Sequence, residues 1–134
     1  MAKASIINQP EMPTVSARVE SDLSADSKQY TFLAPNTADP AVWAAVTAEA
    51  VFAAPLQTKG IDGSSVAKHV PLPIAGTCFV KLGGTLSRGA RVRPGAGGKA
   101  SAAAAGEQYV GILLDGGVDD DVVSMLIQFG ERHT

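Results

Sequence analysis

Aromatic side chains are scarce in this chain: one tryptophan, two tyrosines and four phenylalanines in 134 residues. So few rings, spread along the sequence, offer little material for an exposed platform that stacks bases or sugars. Cysteine is scarcer still. Cys78 stands alone, so no intrachain disulfide can form. No apolar run approaches the ~20 residues that cross a bilayer, and the opening MAKASIINQPEMP has no apolar stretch of the kind a secretory signal needs. These absences lead to an expectation of synthesis and folding in a reducing cytoplasm, with no membrane partner. A basic excess is missing too. Eleven Lys and Arg against 13 Asp and Glu leave a net charge of −2, which argues against nucleic acid as a partner.

The length fits one domain. The hydrophobic share is 46%, but much of it is alanine, so one modest core is expected and oligomerisation is a natural way to cover flat apolar faces. Charge is unevenly spread. Between Lys81 and Lys99 there are five bases (Lys81, Arg88, Arg91, Arg93, Lys99) and no acid. Between Glu107 and Asp121 there are five acids (Glu107, Asp115, Asp119, Asp120, Asp121) and no base. If these stretches form neighbouring strands and turns, they face each other within or between subunits. The plainer alternative is two solvated faces that differ in sign.

Residues 1–28 carry Pro10 and Pro13 and show no sustained strand or helix period. They read as an extended N-terminal arm that orders on a neighbour, or as simple disorder. The remainder, 29–134, is expected to be a β-rich domain. Lys28–Ala34 reads as a strand with Tyr30 and Phe32 on one face. Asp39-Pro40 has the chemistry of a helix start, and Val42, Trp43, Val46 and Ala50 predict a short helix over about 39–50; a loop into a strand at Ala50–Thr58 competes with it. Ile61-Asp62-Gly63-Ser64 is a turn signal. Val66–Pro71 and Thr77–Leu82 read as short strands, with Pro71 and Pro73 favouring an edge. Ten of the 14 glycines lie from Gly83 to Gly117, punctuating short segments. Gln108–Leu114 and Asp121–Phe129 are the strongest strands, the latter alternating Val123, Met125, Ile127 and Phe129 with Ser124 and Gln128. The expected class is mainly β, a small β-barrel or β-sandwich.

Patterns that suggest chemistry each lack a required residue. Gly98-Lys99 has the look of a phosphate loop, but Arg93 stands where the first glycine belongs and Ala100 where Ser or Thr belongs. A calcium loop starting at Asp115 would need glutamate at its twelfth position, which is Leu126. A weak cation site at Asp119–Asp121 is the residual reading. His69 and His133 have no zinc-ligand spacing around them. A Cys78–His69 nucleophile pair lacks an evident third group or oxyanion hole. Trp43 reads as an anchor in the core or at an interface. The expected catalytic, cofactor-binding and metal-binding residues are therefore none, and the chain is expected not to be an enzyme.

The order of small motifs carries more. FVKLGGTLSRGARVRPGAGGKASAAAAGEQYVGILLDGGVDDDVVSMLI resembles the end of tailed-phage capsid cement, or head decoration, proteins. The matching positions are Gly83–Gly89, Gly98-Lys99-Ala100, Ala102–Gly106, Val110-Gly111-Ile112 and Val122–Ile127. Asp22-Leu23-Ser24-Ala25 before Gln29-Tyr30 resembles the opening of the same family's domain, so the likeness covers about two-thirds of the chain, judged by these stretches. The sequence departs from the family at PNTADPAVWAAVTAEAVFAAPLQTKGIDG and in its last residues, Phe129–Thr134.

The resemblance implies a β-rich protomer, often a homotrimer, on the outer capsid surface of the virion. There it would bind the major capsid protein and brace seams between shell subunits. A virion-displayed receptor- or glycan-binding β module is the alternative, and a small hydrolase or cysteine enzyme on the same β scaffold the third.

Overall fold

The computed structural model describes residues 14–19, 29–35, 42–48, 50, 52–57 and 68–133, with the backbone alone at 68–71. Among these are ten strands: β1 (Thr14–Val19), β2 (Phe32–Pro35), β3 (Val42–Ala45), β4 (Ala54–Pro55), β5 (Lys68–Pro73), β6 (Thr77–Lys81), β7 (Arg91–Pro94), β8 (Ala100–Ala102), β9 (Gln108–Leu113) and β10 (Val122–Glu131). They form two five-stranded sheets, ordered β4-β2-β3-β1-β5 and β6-β10-β9-β7-β8. The protein is mainly β, as its alternating segments and turn signals predict.

The second sheet follows directly from alternation. Cys78 and Val80 of β6, and Val123 and Met125 of β10, point inward, while Phe79 and Val122 point out. Val92, Val110 and Leu113 complete the same core. The sheet then curls until its ends meet. Leu82, just past β6, bridges Ala100 at the start of β8, and the Gly83 N–H donates to the Ala100 carbonyl at 2.9 Å. That contact leaves a nearly closed barrel with little free edge. Closure needs close approach between neighbours. The sulfur of Met125 lies directly over Gly111, where any β-carbon would collide.

The first sheet has its own core of Ala17, Val19, Leu33, Trp43, Ala54, Leu56 and Leu72. Phe32 and Leu33 are both fully buried, yet they belong to different cores: Phe32 packs with the barrel and Leu33 with the first sheet. Ala53 and Ala54 divide in the same way. A wall buried on both faces must be apolar at successive positions, and Phe32-Leu33 and Ala53-Ala54 are.

Several expected elements differ. The predicted helix over about 39–50 gives way to β3, which pairs in parallel with β1 (Arg18↔Val42, Val19↔Trp43) and antiparallel with β2. Pairing and burial of Val42 and Trp43 outweigh a helix-compatible spacing. The boundary at residue 28 is corrected for 14–19: β1 lies inside the first sheet, between β3 and β5, with Ala17 and Val19 buried. The remainder of the expected arm, 1–13 and 20–28, falls outside the described residues. So do the predicted turn at 61–64 and Asp39-Pro40. Tyr30 does not share a strand face with Phe32. It sits in a turn with φ of 66°, and the strand starts at Phe32. Pro71 and Pro73 lie in β5, an edge strand of the first sheet, where a missing N–H costs little.

Candidate functional site

The basic and acidic stretches meet within the subunit. Arg93 Nε lies 3.1 Å from Glu107 Oε1, and Lys99 Nζ lies 2.5 Å from Asp120 Oδ1 and 3.5 Å from Asp119 Oδ1. Glu107 also accepts the Ala104 N–H at 2.7 Å. That backbone donor, followed by Arg93, holds its carboxyl below the usual range. The hydrogen bond from Lys99 does the same to Asp120, and in return holds the Lys99 ammonium above its ordinary range. The Lys99 pairs tie the 95–99 turn to the 118–121 turn, and the Arg93–Glu107 pair ties the 103–107 turn to β7.

The residues that invited a catalytic reading are not brought together. Lys99 of the phosphate-loop-like segment is occupied by two aspartates, and Gly97-Gly98 form a tight turn, Gly98 taking φ of 75° against the Thr31 side chain. Asp121 accepts the Val118 N–H at 2.9 Å, so the Asp119–Asp121 carboxylates serve the turn and the lysine. Among the described residues no group of three or more His, Cys, Asp or Glu could hold a metal ion. Cys78 lies inside the barrel on β6 opposite Met125, and burial pushes its thiol up to about 12. His69 lies on β5 of the other sheet, in register with Arg18, and His133 is exposed beyond β10. Trp43 is a core anchor. Its ring packs edge-on against Phe52, which packs edge-on against Phe129 (centroids 5.3 and 4.9 Å).

Two features were not foreseen. Gln57 closes the outer edge of β6 with its carboxamide, donating to the Phe79 carbonyl at 2.8 Å and accepting the Phe79 N–H at 2.9 Å. A side chain thus supplies the hydrogen bonds a neighbouring strand would give. The other feature is the exposure of large apolar side chains, Phe79, Leu114 and Val122 on the outer face of the second sheet and Val118 in the turn between β9 and β10. In sequence each looks like one more core residue, and only the closure of the sheet shows that they point outward.

The described residues are thus mainly β: two five-stranded sheets, the second curled into a nearly closed barrel whose turns are joined by ion pairs to one another and to β7. The solved structure of the head fiber gp8.5 N base in bacteriophage phi29 is similar to it, with a TM-score of 0.64 and 18% sequence identity, over 88% of this chain and 95% of that chain. At that identity the likeness is one of fold. No family model matches the sequence, and no curated protein matches it.

Proposed function

We propose that this chain is a structural protein of a bacteriophage head, a decoration or cement subunit rather than an enzyme. On this reading it binds the outer surface of the assembled shell and stabilises contacts between major capsid protein subunits, acting as a homotrimer. The observation that carries it is the shared fold with a phage head fiber base, along nearly the whole of both chains. The resemblance of residues 79–127 to capsid cement proteins points the same way independently. The physical logic is mass action: a subunit that binds only the assembled shell stabilises that state without chemistry, and shell symmetry repeats a modest interface many times. Trp43 is buried in the core of the first sheet and so is not offered as a platform for a receptor or glycan, and the raised thiol of Cys78 gives little support for a nucleophile.

Heads assembled without this chain provide the test. Adding it should give saturable, stoichiometric binding in co-sedimentation and should raise the temperature at which packaged DNA escapes. Heads that neither bind it nor gain heat resistance would refute the reading. A chain beginning at Thr14 tests the arm in the same assay; weaker attachment with an unchanged circular dichroism spectrum is the outcome the arm requires.

A further inference from the structure

A strand at the end of a sheet carries a row of N–H and C=O groups that invite another chain. β6 is such a strand: it ends the second sheet, with β10 as its neighbour in the ladder. Backbone groups alternate in direction along a strand, so one set faces β10 and the other faces away. The Gly76 carbonyl accepts the Ile127 N–H, and the Leu82 N–H donates to the Asp121 carbonyl, both at 2.8 Å. The even-numbered residues therefore face β10, while Thr77, Phe79 and Lys81 turn their backbone groups outward. The barrel closes only beyond this stretch. Leu82 bridges Ala100 in parallel, so β8 runs onward from that contact and away from Thr77–Lys81.

Among the described residues, Tyr30 and Gln57 occupy that outward edge. The Tyr30 carbonyl accepts the Lys81 N–H at 3.0 Å. Gln57 serves Phe79 twice, its Oε1 accepting the N–H at 2.9 Å and its Nε2 donating to the C=O at 2.8 Å. A carboxamide has the donor and acceptor of a peptide group, so this is the bond pair that one residue of an antiparallel partner would make. The side chain is itself held in place. Its Nε2 also donates to the Pro55 carbonyl at 3.2 Å, and Gln29 Nε2 donates to the Gln57 carbonyl at 2.9 Å. Phe79 is exposed, so water alone would satisfy its backbone. What the carboxamide adds is exclusion of a competing strand.

The competitor that fits is a second copy of the chain. Antiparallel pairing of two β6 edges about a two-fold axis at Cys78 sets Thr77 of each copy opposite Phe79 of the other. That arrangement is self-complementary, as a two-fold interface must be. Both residues of each pair exchange N–H and C=O bonds, and a β-branched side chain meets an aromatic one across the strands, a favourable match. Lys81 lies outside the paired stretch and keeps its bond to Tyr30, so no like charges oppose each other. The Gln57 carboxamide stands where the second copy's Thr77 peptide groups would lie.

We propose that Gln57 is an edge guard, whose carboxamide bars the β6 strand of a second copy from adding to the barrel. This is independent of the function proposed above, since it involves no shell. Sedimentation velocity of the full chain over a concentration series, with Q57A and Q57A/T77K beside wild type, tests it. As concentration rises, Q57A should form a species of about twice the wild-type mass. Q57A/T77K should return to the wild-type mass, because a lysine on an exposed edge deters strand addition. In hydrogen exchange at low concentration, the Phe79 amide should exchange about tenfold faster in Q57A than in wild type, the size of one lost hydrogen bond. Q57A that keeps the wild-type mass at every concentration overturns the proposal, as does Q57A/T77K that associates as Q57A does. Should Q57A not fold, wild type alone decides. A Phe79 amide protected as well as that of Val80 supports the guard, and one that exchanges as in an unfolded chain overturns it.

Discussion

Met125 and Gly111 show how little room the barrel leaves. The methionine sulfur fills the space a β-carbon at position 111 would take, and Met125 is fully buried. Gly111→Ala should therefore destabilise the fold by ~1–3 kcal/mol, the usual cost of overpacking. Shortening the neighbour in the double variant G111A/M125A should cost less than the two single changes added together, as measured by urea unfolding. The glycine of the Val110-Gly111-Ile112 motif is thus required by a cross-strand contact rather than by a turn. Cys78 illustrates the opposite use of a buried site. With its thiol pushed up to about 12 and packed in the barrel, it should resist thiol reagents at neutral pH in the native protein and react only on unfolding. Labelling at native-state rates typical of an exposed cysteine would contradict its placement.

Strands and turns divide sharply by how their information is distributed. β6, β9 and β10 were legible because their alternation is local and glycine-rich turns bound them. β1 was not. Thr14–Val19 does alternate, but its buried positions are one alanine and one valine, a weak signal, and its partners lie far along the chain at β3 and β5. β3 imitated a helix because Val42, Val46 and Ala50 recur near helical spacing, while its parallel pairing with β1 leaves no mark in sequence. The opposed charge stretches were readable as a pattern, and the structure resolves them into turn clasps. Both clasp carboxylates, Glu107 and Asp120, are held below their ordinary range by hydrogen bonds. A depressed folded-state value means the unfolded chain takes up protons first as pH falls. The clasps should therefore contribute stability above the carboxyl range and lose it progressively below, and Glu107→Gln should flatten that acid limb in thermal melts recorded against pH. The exposure of Phe79 was not legible, since Cys78, Phe79 and Val80 are all apolar and their run does not tell which face closes inward.

At the scale of the whole molecule, the two cores share a wall. Phe32 feeds the barrel and Leu33 the first sheet, one residue apart on the same strand. Phe32→Ala should cost ~3–5 kcal/mol and Leu33→Ala ~2–5 kcal/mol, and both should lower one common transition. Calorimetric and van't Hoff enthalpies that agree would show this; two separated melts would contradict it. The wall also has a mechanical meaning. A pull or shear on the barrel cannot be absorbed by sliding one sheet over the other, because the strand that would have to slide is anchored on both faces. Lys81 adds a backbone hydrogen bond to the Tyr30 carbonyl at 3.0 Å, and Gln57 grips β6 across the same seam. Load entering through β6 therefore passes to Tyr30 and Gln57, which flank β2 and β4, and on through the first sheet, so the two sheets should yield together.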